Sequence, residues 1–188
     1  MQEGMIERIC DMGLERQELC DKLARAHVGG MMIPYSPRDL AAILTQLRNK
    51  PPTSYLALES TTQGGIKFLQ EMLDIPEVYQ PAGDEKKVRS ALRSMKQPVD
   101  LISIDLRGYP LDAETVWKYI LGGKEEPAKE FGKGAPTDYG ICKLKVGGFI
   151  LLNRADKGAF EMWFRLRDRY TRMYQSALVG MVNVREGL

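Results

Sequence analysis

A chain of 188 residues with 44% hydrophobic and 28% charged residues is long enough to bury the core of one domain, with or without a small appendage. Its formal net charge of +2 is too small for a protein that coats nucleic acid, and no apolar run approaches the roughly 20 residues of a membrane span. Cys10, Cys20, Cys142 and the single His27 lack zinc-ligand spacing, which argues against a Cys/His metal centre and fits reduced thiols.

The N-terminal MQEGMIERICDMG mixes charges and lacks a basic-then-apolar leader pattern, so a cytoplasmic chain is expected. Met5, Ile6, Ile9 and Met12 recur at helical spacing, Gly13 interrupts, and Leu19, Cys20 and Leu23 resume on one face of a second helix. Ser36, Pro37 and Asp39 are a helix start: an N-cap hydroxyl, a proline at the first helical position and an acid near the positive helix end. Leu40, Ile43, Leu44 and Leu47 are the apolar face of this third helix, which must stop before Pro51 and Pro52.

Beyond the two prolines strands alternate with helices. SYLALE (54–59) is a short strand, and STTQGG leads from it into a helix carrying Ile66, Phe68, Leu69, Met72 and Leu73. The stretch IPEVYQPAG reads as loop, and Asp84 to Met95 as a helix with Val88, Ala91, Leu92 and Met95 inward. VDLISIDL is apolar on both faces at its start, the pattern of a central strand. Asp112 caps a helix with Val116, Trp117, Ile120 and Leu121 buried, and the Gly-, Pro- and charge-rich residues 122–136 read as a mobile loop. Gly147-Gly148 supplies the positive φ angles of a two-residue hairpin turn between Ile141–Val146 and Phe149–Leu152, with Cys142, Leu144 and Val146 inward and Lys143 and Lys145 outward.

The last predicted element is a helix from Asp156 to about Leu178. Its residues Phe160, Met162, Trp163, Phe164, Leu166, Tyr170, Met173, Tyr174, Ala177 and Leu178 form an apolar arc of about 200°, too broad for one sheet face. Arg167 falls inside that arc. The expected class is therefore α+β: a three-helix N-terminal segment (1–50), then a domain (51–188) in which a small mixed four-stranded sheet is packed by helices and crossed by the long C-terminal amphipathic helix.

Three groups of residues could carry function. Ser60, Thr61, Thr62, Gln63, Gly64 and Gly65 follow a strand and open a helix, where free backbone N–H groups suit an anion. If the strands 54–59 and 99–106 are parallel neighbours, Asp105 and Arg107 emerge beside them at the edge where open α/β sheets bind ligands. The structural alternative is a capping hydroxyl with glycines that permit close packing. Lys86, Arg89, Arg93 and Lys96 on one helix, and Arg165, Arg169 and Arg172 on another, are spaced to follow a phosphate backbone, although acids lie among them. Met162, Trp163, Arg167, Tyr170, Met173 and Tyr174 form the candidate protein interface. Glu59, Asp100 and Asp105 end strands and suit a hard cation in type, but nothing in their spacing signals a metal site or catalytic residues, and no cofactor is expected.

The leading expectation is a non-enzymatic adaptor subunit that meets a protein partner, or a second copy of itself, through the C-terminal helix. A nucleic-acid-binding accessory protein and an anion- or nucleotide-binding enzyme are the alternatives. No contact with membrane is expected.

Overall fold

The computed structural model describes residues 17, 18, 21, 45, 47, 48, 50–59, 70, 73–123, 138–153, 158, 159, 161–165 and 178–182. The elements in chain order are β1 (Ser54–Glu59), β2 (Glu77–Tyr79), α1 (Glu85–Ser94), β3 (Val99–Asp105), α2 (Ala113–Leu121), β4 (Leu144–Asn153) and β5 (Leu178–Val182). They build a five-stranded sheet in the order β2-β1-β3-β4-β5, and every neighbouring pair is parallel.

This overturns the expected α+β class with its mixed four-stranded sheet; the architecture is α/β. Gly147-Gly148 is the source of the error, because positive φ serves a bulge as well as a hairpin turn. The chain does not reverse there. β4 runs straight through, pairing Leu144 with Val99 and then Phe149 with Leu101, so the register slips around the two glycines. Gly147 takes φ +74°, and a Cβ on Gly148 would stand 2.7 Å from Leu144 Cδ1 and 2.9 Å from the Asp100 carbonyl oxygen. The predicted alternation fails as well: Val146 is exposed, and Lys143, expected outward, is fully buried in the turn before β4.

Two further strands correct the reading. Glu77–Tyr79, expected as loop, pairs with β1 as a short edge strand. Leu178–Val182 is β5, so the predicted C-terminal helix does not reach Leu178; within its span, 158, 159 and 161–165 are helical and the other residues lie outside the described ones. Helical backbone occurs at 17, 18 and 21 and at 45, 47 and 48, but a three-helix segment is not shown. Residues 124–136 of the predicted loop lie outside the described residues.

Local chemistry explains the two helices. Asp84 caps α1 by accepting from the Lys87 amide at 2.8 Å, and Asp112 caps α2 by accepting from the Thr115 amide at 2.7 Å. Gly122 closes α2 with φ +72° and donates to the Lys118 carbonyl.

On one sheet face Leu56 and Leu58, Ile102 and Ile104, and Ile150 and Leu152 meet Val88 and Leu92 of α1, Val116, Trp117 and Ile120 of α2, and Ala159 and Trp163. The Trp117 and Trp163 rings lie 5.5 Å apart, and Trp117 Nε1 donates to the Ala159 carbonyl. A right-handed crossover puts the segments after β2, β3 and β4, which all move the chain in one direction along the sheet, on the same face. The β1–β2 connection runs the other way and belongs on the opposite face. That face carries Tyr55, Ala57, Leu101 and Leu151, all nearly inaccessible, and Leu73 of the connection is buried outside the first cluster. The chain therefore changes direction between β1 and β3.

Candidate functional site at the carboxyl edge of the central strands

β1 and β3 are parallel neighbours in a register that sets Glu59 directly beside Asp105, each the last residue of its strand. In a sheet of this order the reversal leaves a crevice at the carboxyl ends of these two strands, since the flanking connections leave to opposite faces. Both carboxylates are almost wholly buried, Glu59 at 3% exposure and Asp105 at 5%.

Two residues after β3, Arg107 turns back onto Asp105. Its Nε and one terminal nitrogen donate to the two carboxylate oxygens at 2.9 and 2.6 Å, and its amide donates to Oδ1 at 3.3 Å. The fork fixes the guanidinium as a bidentate pair does. The Arg107 side chain nevertheless remains 49% exposed against 7% for Asp105. Asp105 thus makes the strand-end turn bond expected of such a residue and also orients an arginine.

A polar stripe continues from these carboxylates along the same sheet face. Tyr55 and Ser103 share a buried hydroxyl–hydroxyl hydrogen bond of 2.6 Å. Burial raises the Tyr55 phenol well above its ordinary value, the Glu59 charge raises it further, and the bond from Ser103 opposes both. Sequence reading gave neither Tyr55 nor Ser103 a functional role. Their signal was a hydroxyl pair two and four residues before the strand-end acids, on the face that alternation gives to Glu59 and Asp105.

Tyr109 ties the following loop to its neighbour by donating to the Pro81 carbonyl at 3.2 Å, which joins the loops after β3 and β2. Gly108, at φ +67°, makes the turn that reaches it.

Other predicted groups do not converge. Asp100, offered with Glu59 and Asp105 as a cation ligand, lies at the opposite end of β3, where its Oδ2 accepts from the Thr53 amide and hydroxyl and from Ser54. Among the described residues no three His, Cys, Asp or Glu side chains form a metal-binding group. On α1, Arg89 pairs with Glu85 at 2.6 Å, and Lys86, Arg89 and Arg93 share a surface hollow with that acid. Lys96 instead lines the groove of Val78, Tyr79, Ala91 and Met95. Arg165 lines a hollow with Asp112, Glu114 and Glu161. Of the predicted interface, Trp163 is in the core and Met162 packs against it. Ser60, Thr61, Thr62, Gly64, Gly65, Arg167, Arg169, Tyr170, Arg172, Met173 and Tyr174 lie outside the described residues.

Among the described residues no helix is long and apolar enough to cross a membrane. No family model, no curated protein and no solved structure matches the chain.

Proposed function

We propose that the protein binds a small phosphorylated ligand of the nucleotide class in the crevice at the carboxyl ends of β1 and β3. One observation carries the reading: the strand order reverses where Glu59 and Asp105 stand side by side and Asp105 holds a half-exposed Arg107. Arg107 is the group for a phosphate oxygen, since its orientation is fixed before the ligand arrives and little of that ordering remains to be done on binding.

Charge narrows the ligand. Two carboxylates and one guanidinium leave a formal charge of −1, which opposes a bare anion. A nucleotide suits the edge better, because ribose hydroxyls can donate to a carboxylate and Mg²⁺ bound to its phosphates would offset their charge. Ser60, Thr61, Thr62, Gly64 and Gly65, which follow β1 directly in sequence, are the further candidates for phosphate contact.

The adaptor reading rests on the apolar arc of the C-terminal helix, of which Leu178 belongs to β5, Trp163 lies in the core, and residues 160 and 166–177 lie outside the described ones.

The test is thermal melting with mononucleotides and sugar phosphates, each with and without Mg²⁺, on wild type and Arg107→Ala. A ligand at about a hundred times its Kd adds about 2.7 kcal/mol, a rise of roughly 5–10 °C for a domain of this size. Arg107→Ala should abolish the rise. A panel that shifts nothing, or a shift that survives the variant in full, overturns the assignment.

A further inference from the structure

A second feature stands at the outer edge of the sheet, away from the β1–β3 crevice. β2 pairs with β1 on one side, and among the described residues no strand pairs with its other side. The Glu77 amide donates inward, to the Thr53 carbonyl just before β1, at 3.3 Å. Successive residues of a strand turn their N–H and C=O groups to opposite sides, so those of Val78 face outward from the sheet. Pro76 and Pro81 bracket the strand and keep this open edge short, which limits aggregation without closing the edge.

Beside the edge runs a groove of about 520 Å³. Strand pairing sets Tyr79 next to Leu56, so Tyr79 stands on the α1 face of the sheet, where it is 40% exposed. Tyr79, Pro81, Ala91 and Met95 are apolar walls of the groove, and Lys96 is the one charged residue in its described lining. Met95 also packs against the core, which holds that wall in place.

Charge selects the occupant. On and around α1, Lys86, Lys87, Arg89, Arg93 and Lys96 oppose Asp84 and Glu85, a formal +3. A second copy of the chain fits poorly: β2 joined to its own copy runs antiparallel about a two-fold axis normal to the sheet, which keeps both α1 helices on one face and opposes like charges. A nucleic-acid strand matches the charge but has no backbone pattern to meet the outward N–H and C=O of Val78. We propose that this edge docks an extended acidic segment of a partner protein. The segment adds as a strand outside β2: its backbone exchanges hydrogen bonds with Val78, an apolar side chain enters the groove between Tyr79 and Met95, and flanking acids meet Lys96 and the basic surface of α1.

A fluorescein-labelled peptide, Glu-Asp-Phe-Thr-Val-Asp-Glu, titrated with the full chain and followed by anisotropy tests the assignment. Its two apolar residues stand two apart and share one face of the added strand. Wild type should bind it with a Kd on the order of 10–100 µM. Tyr79→Ser should weaken binding at least about tenfold through loss of the aromatic wall, and Lys96→Glu about fivefold. Both residues are exposed, so both variants should melt within about 3 °C of wild type. Val78→Pro deletes the outward N–H, spares the Glu77 bond to Thr53, and should weaken binding about fivefold. The same peptide with lysine in place of every acid should not bind. No binding with the chain at about 0.5 mM, equal binding of the lysine peptide, or Tyr79→Ser and Lys96→Glu both indistinguishable from wild type overturns the proposal. Two other results overturn it by naming a different occupant. A twelve-nucleotide single strand that binds more tightly than the peptide and is weakened by Tyr79→Ser and Lys96→Glu assigns the surface to nucleic acid. A dimer of the free chain in light scattering, dissolved by Val78→Pro, assigns it to a second copy.

Discussion

The two ends of the central strands are both polar, yet their polar groups are engaged differently. At the amino end of β3, Asp100 is tied to the entry of β1 by the Thr53 amide and hydroxyl at 3.0 and 2.8 Å and by the Ser54 hydroxyl at 3.2 Å, and Lys145 closes the cluster at 3.4 Å. Burial works to raise the Asp100 carboxyl, but the two Thr53 bonds and the Lys145 charge outweigh it and hold the group below its ordinary range. At the carboxyl end two acids stand side by side, and the arginine that pairs with one of them keeps half its surface in solvent. The first cluster fastens the entry of one strand to its neighbour. The second stands where the strand order reverses, and this position is why the carboxyl end is the candidate site.

Damage to the amino end should therefore register as lost stability. The largest effect is expected from Gly148→Ala, whose Cβ would meet two backbone carbonyl oxygens at 2.9 Å, those of Asp100 and Lys145, in the middle of the bulge. Backbone cannot yield as a flexible side chain can, so a loss of about 3 kcal/mol is expected in urea unfolding. Wild-type stability would mean that the register slip between β3 and β4 does not require a glycine.

Asp100→Ala comes next. It removes the acceptor for three donors at the β1 entry, and about 2 kcal/mol should be lost, with any ligand-induced melting shift retained. Asp100→Asn should recover part of the loss because an amide oxygen still accepts. Equal losses in both variants would assign the effect to charge instead of hydrogen bonding.

A third effect is a pH dependence at the same end of the sheet. Lys143, just before β4, donates from Nζ to the carbonyls of Tyr139 and Ile141, and burial lowers its amine to about 8 while the charges of Cys142 and Asp138 oppose the shift. The unfolded lysine titrates near 10.4, so between these values the unfolded chain holds a proton that the folded one has released. Stability then rises with pH. About 1 kcal/mol should appear between pH 7.5 and 9.5. Lys143→Gln should flatten the rise. Above that window Tyr55 reverses the sign, because its phenol is held protonated in the fold when the unfolded chain has begun to lose the proton.

How much of this was legible in sequence follows from how local each signal is. The strand 54–59, the helix near 84–95, the Asp112 cap and the central character of β3 were readable because side-chain periodicity and capping act within a few residues. β2 was missed because three residues with exposed ends carry no period. Leu178, the first residue of β5, was absorbed into a helix because an apolar residue there extends a helical arc as readily as a strand, and 179–182 were given no element. Sheet order is non-local, and Gly147-Gly148 fits a turn or a bulge until the partner strand is known. The strand-end residues Glu59, Asp105 and Arg107 could be named in advance; that register would align Glu59 with Asp105 could not. Lys143 and Tyr119 were missed for a related reason: the turn before β4 buries the first against the Tyr139 and Ile141 carbonyls, and the Tyr139 ring packs on the second.

The smallest expected change in stability is the one that bears most directly on function. Arg107→Ala removes a half-exposed guanidinium from the almost wholly buried Asp105, which keeps the residue-107 amide, so the fold should lose about 1 kcal/mol. Asp105→Asn is the sharper partner experiment. It keeps the shape of the side chain and the amide bond, removes the charge that fixes Arg107, and leaves Glu59 beside a neutral neighbour. If Arg107 is the phosphate contact and Asp105 its positioner, Asp105→Asn should weaken the ligand-induced melting shift without abolishing it, whereas Arg107→Ala abolishes it. The reverse order would make the carboxylate the contact and the arginine its neutralising partner. Either order leaves the carboxyl end sensitive in binding and tolerant in stability, the opposite of what Asp100 should report.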